Sequence, residues 1–413
     1  MNPLSTLARR ALTARLAELR HGRLILREGA TVSSWGDPLA TPIEMVVLDP
    51  RFYSAAAFGG AVGAGEAYAD GWWTTDDLTG IVRLLLRNRD ALDGLETGWA
   101  RLVQPARRLL HAINRNTRRG ARRNIGAHYD LGNAFFELIL DDTLTYSCAL
   151  FERPGASLRD ASVAKYERMA ALLDLQPHDH VVEIGTGWGG FAIHAASRHG
   201  CRVTTTTISE EQYQLATRRV AEAGLAGRVT VVRQDYRDLR GRYDKLVSIE
   251  MIEAVGHEHF ETFFARCAAL LAPHGRAAIQ AITIDDARYE AARREVDFIN
   301  RHIFPGSCLP SRSVLRAAAA AAGLDLVQAD EIGPHYAETL RRWRENMQAN
   351  RDRIAALGMG ERFQRLWEFY FCYCEGGFLE RAIGTAQLVF ARSEAGLVAP
   401  LGAPPVPAIE EAA

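Results

Sequence analysis

Residues 180–196 read HVVEIGTGWGGFAIHAA, and the fold turns on how this stretch is read. Val181, Val182 and Ile184 form an apolar β-branched run, a cluster of glycines follows, and a helical pattern begins at Phe191. Gly185, Gly187 and Gly190 satisfy G-x-G-x-x-G between a strand and a helix, as a dinucleotide-binding turn requires. Such a fold also wants an acid about 20 residues further on, at the end of the second strand, to hold ribose hydroxyls. Here the second strand reads CRVTTTTIS (201–209) and offers threonines instead.

An acid does stand in the first strand, at Glu183. A strand-end acid followed by G-x-G-x-G is the pattern of S-adenosylmethionine methyltransferases. The physics agrees. That ligand carries a cationic sulfonium and an ammonium, and no pyrophosphate in need of a helix N-terminus. Small residues let the backbone approach its nucleoside, and a nearby carboxylate attracts the cationic end. The plain alternatives are a strand-end acid that caps local backbone groups and a simple tight turn.

Outward from the loop, HVVEIGTG, CRVTTTTIS, GRVTVVRQD, YDKLVSIEM and GRAAIQAITI read as strands separated by helical stretches. This rhythm predicts an α/β domain with a mostly parallel sheet wrapped by helices. Residues 286–304 and 311–322 read as helices, and 337–391 as a further helical and strand region. Toward the N-terminus, GRLILREG, TVSSWGDP and IEMVVLDP read as strands, and Asp76-Asp77 marks a helix start. The expected organisation is a small α+β domain at 1–90, a basic linker at 91–122, a catalytic domain at 123–392 and a disordered Pro/Ala-rich tail at 393–413.

The chain has 413 residues, 48% hydrophobic and 24% charged, with a formal net charge of −1, so global charge selects no partner. Local charge does. Residues 4–20 form an amphipathic basic helix, and RLVQPARRLLHAINRNTRRGARRN (101–124) carries arginines without a single acid. Such arginines suit phosphate, either on anionic lipid or simply as a solvated linker; no nucleic-acid motif is present. Six cysteines in a chain this long make no disulfide framework. With no secretory segment and no apolar run long enough to span a bilayer, the expected location is cytoplasmic.

Several ordered motifs make the reading specific: NIGAHYDLGNAFFELILDDTLTYSCALF (124–151), EIGTGWGG, TISEEQ, QDYRDL, SIEMIEAVG and IFPGSCLPS, with GEAYADGWW in the front domain. Together they resemble the cyclopropane-fatty-acyl-phospholipid synthase family, which includes the mycolic-acid cyclopropane synthases. The resemblance runs from about residue 25 to 392. It implies a class I methyltransferase fold that moves a one-carbon unit from S-adenosylmethionine onto the double bond of an unsaturated phospholipid acyl chain. It also implies bicarbonate as the base that closes a cyclopropane ring.

Carried over by resemblance, the cofactor contacts fall on Tyr146 and Ser147, on Glu183, Gly185, Gly187, Trp188, Gly189 and Gly190, on Thr207, Ser209 and Gln212, and on Asp235 and Tyr236. Thr207 and Gln212 would replace the missing ribose acid with neutral hydrogen bonds. The bicarbonate site falls on Cys148, Glu253, Ile282 and Tyr336, with Glu250 as the rival to Glu253. Cys374, in FCYCEGGF, matches the family's assigned active-site cysteine; the alternative is a small buried apolar residue. Cys372 and Cys374 form a C-x-C without a second Cys/His pair of ligand spacing, so no metal is expected.

The chain departs from the family at one point. Where its cyclopropane synthases carry a histidine in a Leu-His-Thr-Ile stretch, this chain reads AIQAIT and places Gln280. An amide donates to an anion but does not titrate near neutrality. Either neutral ligation supports ring closure, or a hydride shift gives a methylene-branched chain. A small-molecule O- or N-methyltransferase is the rival class. The partners implied are an unsaturated phospholipid, peripheral contact with the inner face of an anionic membrane, and a second copy in a homodimer.

Overall fold

The computed structural model describes residues 3–92, 131–393 and 405–409. The Arg-rich stretch 101–123, the segment 124–130 and most of the tail lie outside the described residues. Internal packing divides the chain into two units. The first comprises Met1–Ile113, Arg294–Pro305 and Leu340–Ala382; the second comprises Asn114–Arg293, Gly306–Thr339 and Ile383–Ala413.

In the first unit, β1 (Arg23–Glu28) pairs antiparallel with β2 (Thr31–Gly36) and parallel with β3 (Pro42–Val47), and β3 pairs antiparallel with β4 (Trp73–Thr75). The order is β2-β1-β3-β4. Asp77 caps the helix Leu78–Arg87 by accepting from Gly80 N at 2.7 Å, which satisfies one orphan amide of its first turn. The basic helix runs from Pro3 to Leu16, and its Arg9 is held within the unit by Glu28 at 2.7 Å.

The expectation grouped everything from 123 to 392 in one domain. Packing instead joins the helices Phe298–His302 and Glu361–Leu379 to the N-terminal segment. Tyr68 donates to Glu368 at 2.9 Å, Arg83 to Glu380 at 2.7 Å, and Thr79 to the buried Glu375 at 3.1 Å. Partners some 300 residues apart leave no local trace in the sequence. The continuous helix expected at 286–304 is two short ones, Asp286–Ala292 and Phe298–His302, the second capped by Asp297.

The second unit carries the mostly parallel α/β sheet that the loop predicts. Its strands are β5 (His180–Ile184), β6 (Arg202–Thr207), β7 (Val229–Arg233), β8 (Tyr243–Ile249), β9 (Leu271–Ile284), β10 (Leu324–Glu331) and β11 (Ile383–Arg392). The order is β10-β11-β9-β8-β5-β6-β7. The pairs from β7 through β9 are parallel, and β11 is antiparallel to both β9 and β10. Val181, Val182, Leu246 and Val247 are fully buried, as strands covered on both faces require. The chain winds outward from β5 through β6 to β7, then returns to place β8 on the other side of β5. That reversal opens a crevice at the carboxyl ends of β5 and β8, where α/β folds hold ligands. In the tail, residues 405–409 are described, and the Pro407 carbonyl lies 3.0 Å from His335 Nε2.

Candidate active site at the carboxyl edge of the sheet

Two clusters of polar side chains meet the crevice, one after β5 and one after β8. In the first, Glu183 is buried and accepts from Thr205 Oγ1 at 2.6 Å, its register partner on β6. Burial pushes Glu183 up to about 8, against the pull of that hydrogen bond and of Lys165. Gly185 N and Thr186 N donate to the Thr206 carbonyl at 3.1 and 2.9 Å and close the turn. Gly187 has φ +51°, and a Cβ there would meet nothing within 4 Å, so the turn faces open space. At Gly190 a Cβ would overlap the Tyr166 hydroxyl, which explains glycine at the start of the helix Gly190–Arg198.

Trp188 is buried and donates to Asn133 Oδ1 at 2.8 Å, and Phe136 packs between it and Tyr146. Thr207 donates to Gln212 Oε1 at 2.7 Å, while Ser209 caps the helix Glu210–Glu222 through Gln212 N at 3.2 Å. Thr207 and Gln212 thus orient one another. Asp235 is engaged by Arg237 through N at 3.0, Nε at 2.9 and Nη2 at 2.7 Å. The neighbouring Tyr236 hydroxyl is buried without a hydrogen-bond partner among the described residues.

In the second cluster, Glu250 follows β8 in a left-handed conformation, φ +48°, a region that non-glycine residues seldom occupy. Its carboxylate accepts from Cys148 N at 2.9 Å, Gln280 Nε2 at 2.7 Å and Tyr336 Oη at 2.7 Å. Burial pushes its pKa up, while these donors and Lys165 oppose the rise. Glu253 stands apart from the three donors. One oxygen accepts from Ile282 N at 2.5 Å, and the other is buried with no hydrogen-bond partner among the described residues. Burial first, and then the Glu250 charge, push Glu253 up to about 8, so it is mostly protonated at neutral pH.

Lys165 links the clusters. It is fully buried on the helix Leu158–Leu173 and donates to Ser147 Oγ at 2.8 Å. Burial brings it down to about 8, and Glu250 and Glu183 both favour its charge. The sequence reading overlooked Lys165, although helical spacing with Leu158, Ala161, Met169 and Leu172 puts it on the buried face. It also ranked Glu253 above Glu250, whereas the donors Cys148, Gln280 and Tyr336 meet at Glu250.

The cysteines split. Cys148 contributes its backbone N–H; its buried thiol is pushed well above the ordinary range by burial and then by Glu250. Cys374 lies in the first unit on the helix Glu361–Leu379, while the other candidates lie in the second. Burial, and then the Asp297 carboxyl, hold its thiol far above the reactive range. Away from both clusters, Glu167, His194 and His199 converge with ligand atoms within 4.8 Å of one another, and Arg198 donates to the same carboxylate.

The bicarbonate donor set is committed elsewhere. Cys148 N, Gln280 Nε2 and Tyr336 Oη serve Glu250, Ile282 N serves Glu253, and Glu250 adds negative charge to the spot. The residues present do not fit a bound anion. They do suit S-adenosylmethionine, through the open face at Gly187 and the buried carboxylates near it.

Comparison with known proteins supports the S-adenosylmethionine reading. The family model described as mycolic acid cyclopropane synthetase matches residues 116–388. The tuberculostearic acid methyltransferase UfaA1 of Mycobacterium tuberculosis is 42% identical over 378 residues, 90% of this chain and 87% of its own. The cyclopropane-fatty-acyl-phospholipid synthase of Escherichia coli is 34% identical over 374 residues, 89% of this chain and 92% of its own. Mycolic acid cyclopropane synthase CmaA1, solved with SAH and CTAB, superposes with a TM-score of 0.62 at 31% identity, covering 66% of this chain and 98% of that one.

Proposed function

The chain belongs to the mycolic acid cyclopropane synthetase family of S-adenosylmethionine-dependent methyltransferases, and from that premise we propose that it transfers a one-carbon unit to the double bond of an unsaturated phospholipid acyl chain. The observation that carries this reading is the half-buried Glu250 carboxylate beside the glycine turn. A Cβ on Gly185 would stand 3.1 Å from Met251 Cγ, so the residue after Glu250 packs on the loop itself.

An alkene is a poor nucleophile, and its methylation leaves a carbocation. The site must align donor and alkene, exclude water and accept a proton. S-adenosylmethionine supplies the electrophilic methyl. On this reading Glu183 and the Gly185–Gly190 turn hold its amino-acid and nucleoside parts, and Thr207, Gln212, Asp235 and Tyr236 line the remainder. Lys165 keeps the buried carboxylates compatible with one another.

Ring closure to a cyclopropane is the first reading of the product. The methylene-branched chain is the second, supported by Gln280 and by a 42% identical relative named as a methyltransferase. Both products lose a proton from the transferred methyl; they differ in whether a hydride shifts first. The test is to express the protein in a host lacking such lipids, or to incubate it with monounsaturated phospholipid and trideuteromethyl donor. Fatty acids are then analysed by mass spectrometry with fragmentation. Two of the three deuterons should stay in the chain, as a ring or as a branch. Label wholly absent from fatty acids would reject the reading.

No helix among the described residues is long and apolar enough to cross a membrane. Access to a bilayer substrate would then be peripheral. The first unit exposes Leu39 and Leu48, apolar side chains that suit a lipid surface. Flotation with anionic vesicles should weaken as salt rises; equal flotation with neutral vesicles would argue against charge-led docking. A homodimer remains part of the proposal, and sedimentation of the full chain tests it.

A further inference from the structure

We propose that Glu250 is the built-in base of this site, and that its carboxylate occupies the anion position that family resemblance gives to bicarbonate. The inference rests on the transferase reading above. Three donors assigned to a bound anion, Cys148 N, Gln280 Nε2 and Tyr336 Oη, converge within 2.9 Å on one side chain of the protein itself. A further anion would meet the Glu250 charge and find these donors taken.

The orientation of the donors is forced from outside the site. Arg168 is buried and donates from Nε to Gln387 Oε1 at 2.8 Å. A guanidinium only donates, so the Gln387 amide must turn its oxygen toward Arg168. Its nitrogen then donates to Gln280 Oε1 at 2.9 Å. That fixes the Gln280 oxygen in turn and leaves its nitrogen aimed at Glu250. A chain of donors from Arg168 outward requires an acceptor at its end, and an ionised carboxylate is the best one. The relay thereby links Gln280 and Glu250 as one unit.

Glu250 is also placed to receive a proton. It keeps part of its surface open, whereas the Glu253 side chain is closed in. In the step, the carbon–sulfur bond of the donor breaks and the alkene π electrons form the new carbon–methyl bond. Neutral S-adenosylhomocysteine and a carbocation remain. A Glu250 oxygen takes one proton from the new methyl. That C–H electron pair forms the third ring bond, or an exocyclic double bond if a hydride has shifted. The protonated Glu250 then loses its proton to water after the product leaves.

Glu250→Gly tests this directly. Glycine suits φ +48° without strain and would open a carboxylate-sized space still lined by three donors. Two measurements are made on the full chain in carbon dioxide-free buffer. The first titrates carbon-13 bicarbonate by infrared difference, without lipid. Saturable binding is expected in Glu250→Gly and none in the wild type; binding at these donors in the wild type overturns the occupancy. The second measures transfer to monounsaturated phospholipid. Wild-type turnover should be indifferent to added bicarbonate. Glu250→Gln should fall at least about 100-fold with S-adenosylhomocysteine binding intact. Glu250→Gly should fall similarly and recover in part with bicarbonate or formate. Wild-type turnover that rises tenfold with bicarbonate, or a Glu250→Gln variant that turns over normally, refutes the proposal. A wild type that methylates no lipid rejects the transferase reading instead, and the binding measurement still decides the occupancy.

Discussion

Glu183 and Glu250 are acids at the carboxyl edge of one sheet, and they are held by different kinds of partner. Glu183 is held across a strand pair, by Thr205 in register beside it on β6. Glu250 is held by three segments that lie 102, 30 and 86 residues away in sequence. The first arrangement follows from which strand lies next to which. The second exists only once the whole unit has assembled. An acid held within one strand pair is thus a local device, and a carboxylate with three aligned donors is a global one.

The largest expected effect breaks the link between the two. Lys165 is the buried cation whose charge both acids favour. Replacing it with Met leaves Glu250 without a counter-charge in a dry site, and should cost about 3 kcal/mol of stability at neutral pH. Thermal or urea unfolding of the purified variant measures it. A loss below about 1 kcal/mol would mean that water already screens these acids, and the two clusters would then be independent.

Tyr336→Phe sharpens the comparison at the Glu250 end alone. It removes one of three donors to the ionised carboxylate, at 2.7 Å. The Glu250 pKa should rise further, since a hydrogen bond to the charged form favours that form. The acid limb of the kcat/KM profile should therefore move to higher pH, with kcat down about tenfold. S-adenosylhomocysteine affinity should hold. The matching change at the other end, Thr205→Val, should weaken S-adenosylhomocysteine binding and leave the acid limb in place. If the two variants shift the same parameter, the division of labour is wrong.

Glu253 supplies a subtler contrast, in stability rather than rate. Its pKa stands at about 8 in the folded chain against 4.5 for an ordinary glutamate. The folded state therefore holds a proton that the unfolded state has lost between those values. Its stabilising effect is complete below pH 4.5 and drains away as pH rises through about 8. Glu253→Gln has no proton to lose. Its Tm relative to wild type should climb steadily from pH 5 to pH 9, by about 5 °C. A constant difference across that range would place the ionised Glu253 in contact with water or a cation.

The strand–turn–helix at 180–196 was legible because periodicity and glycine placement are local, and they give both the strands and the turn. The Asp77 cap was legible for the same reason. Lys165 was legible in principle, as a lysine on the buried stripe of an amphipathic helix. The convergence of three donors on Glu250 rather than Glu253 was not. It depends on a left-handed backbone after β8 and on the relay from Arg168 through Gln387 to Gln280, which joins strands β11 and β9. The grouping of Glu361–Leu379 with the N-terminal unit was equally hidden, since Thr79 and Glu375 are 296 residues apart.

The smallest expected effect concerns the cysteine that resemblance alone put forward. A nucleophilic thiol needs a lowered pKa, from a nearby cation or a helix N-terminus. Cys374 sits near the end of its helix, and burial together with the Asp297 carboxyl drives its pKa the opposite way. Arg344, a cation of the same unit, donates instead to Cys372 Sγ at 3.0 Å, and even there burial prevails and holds the thiol up at about 12. Neither cysteine is thiolate at neutral pH. Glu250, by contrast, is an acid whose three donors favour its charged form. Cys374→Ser should therefore keep kcat within about threefold of wild type and lose at most about 1 kcal/mol of stability, the ordinary cost of a polar atom in an apolar pocket. Steady-state kinetics beside a melting curve measure both. A loss of several hundredfold with an unchanged Tm would return Cys374 to the reaction and would require its helix to meet the substrate.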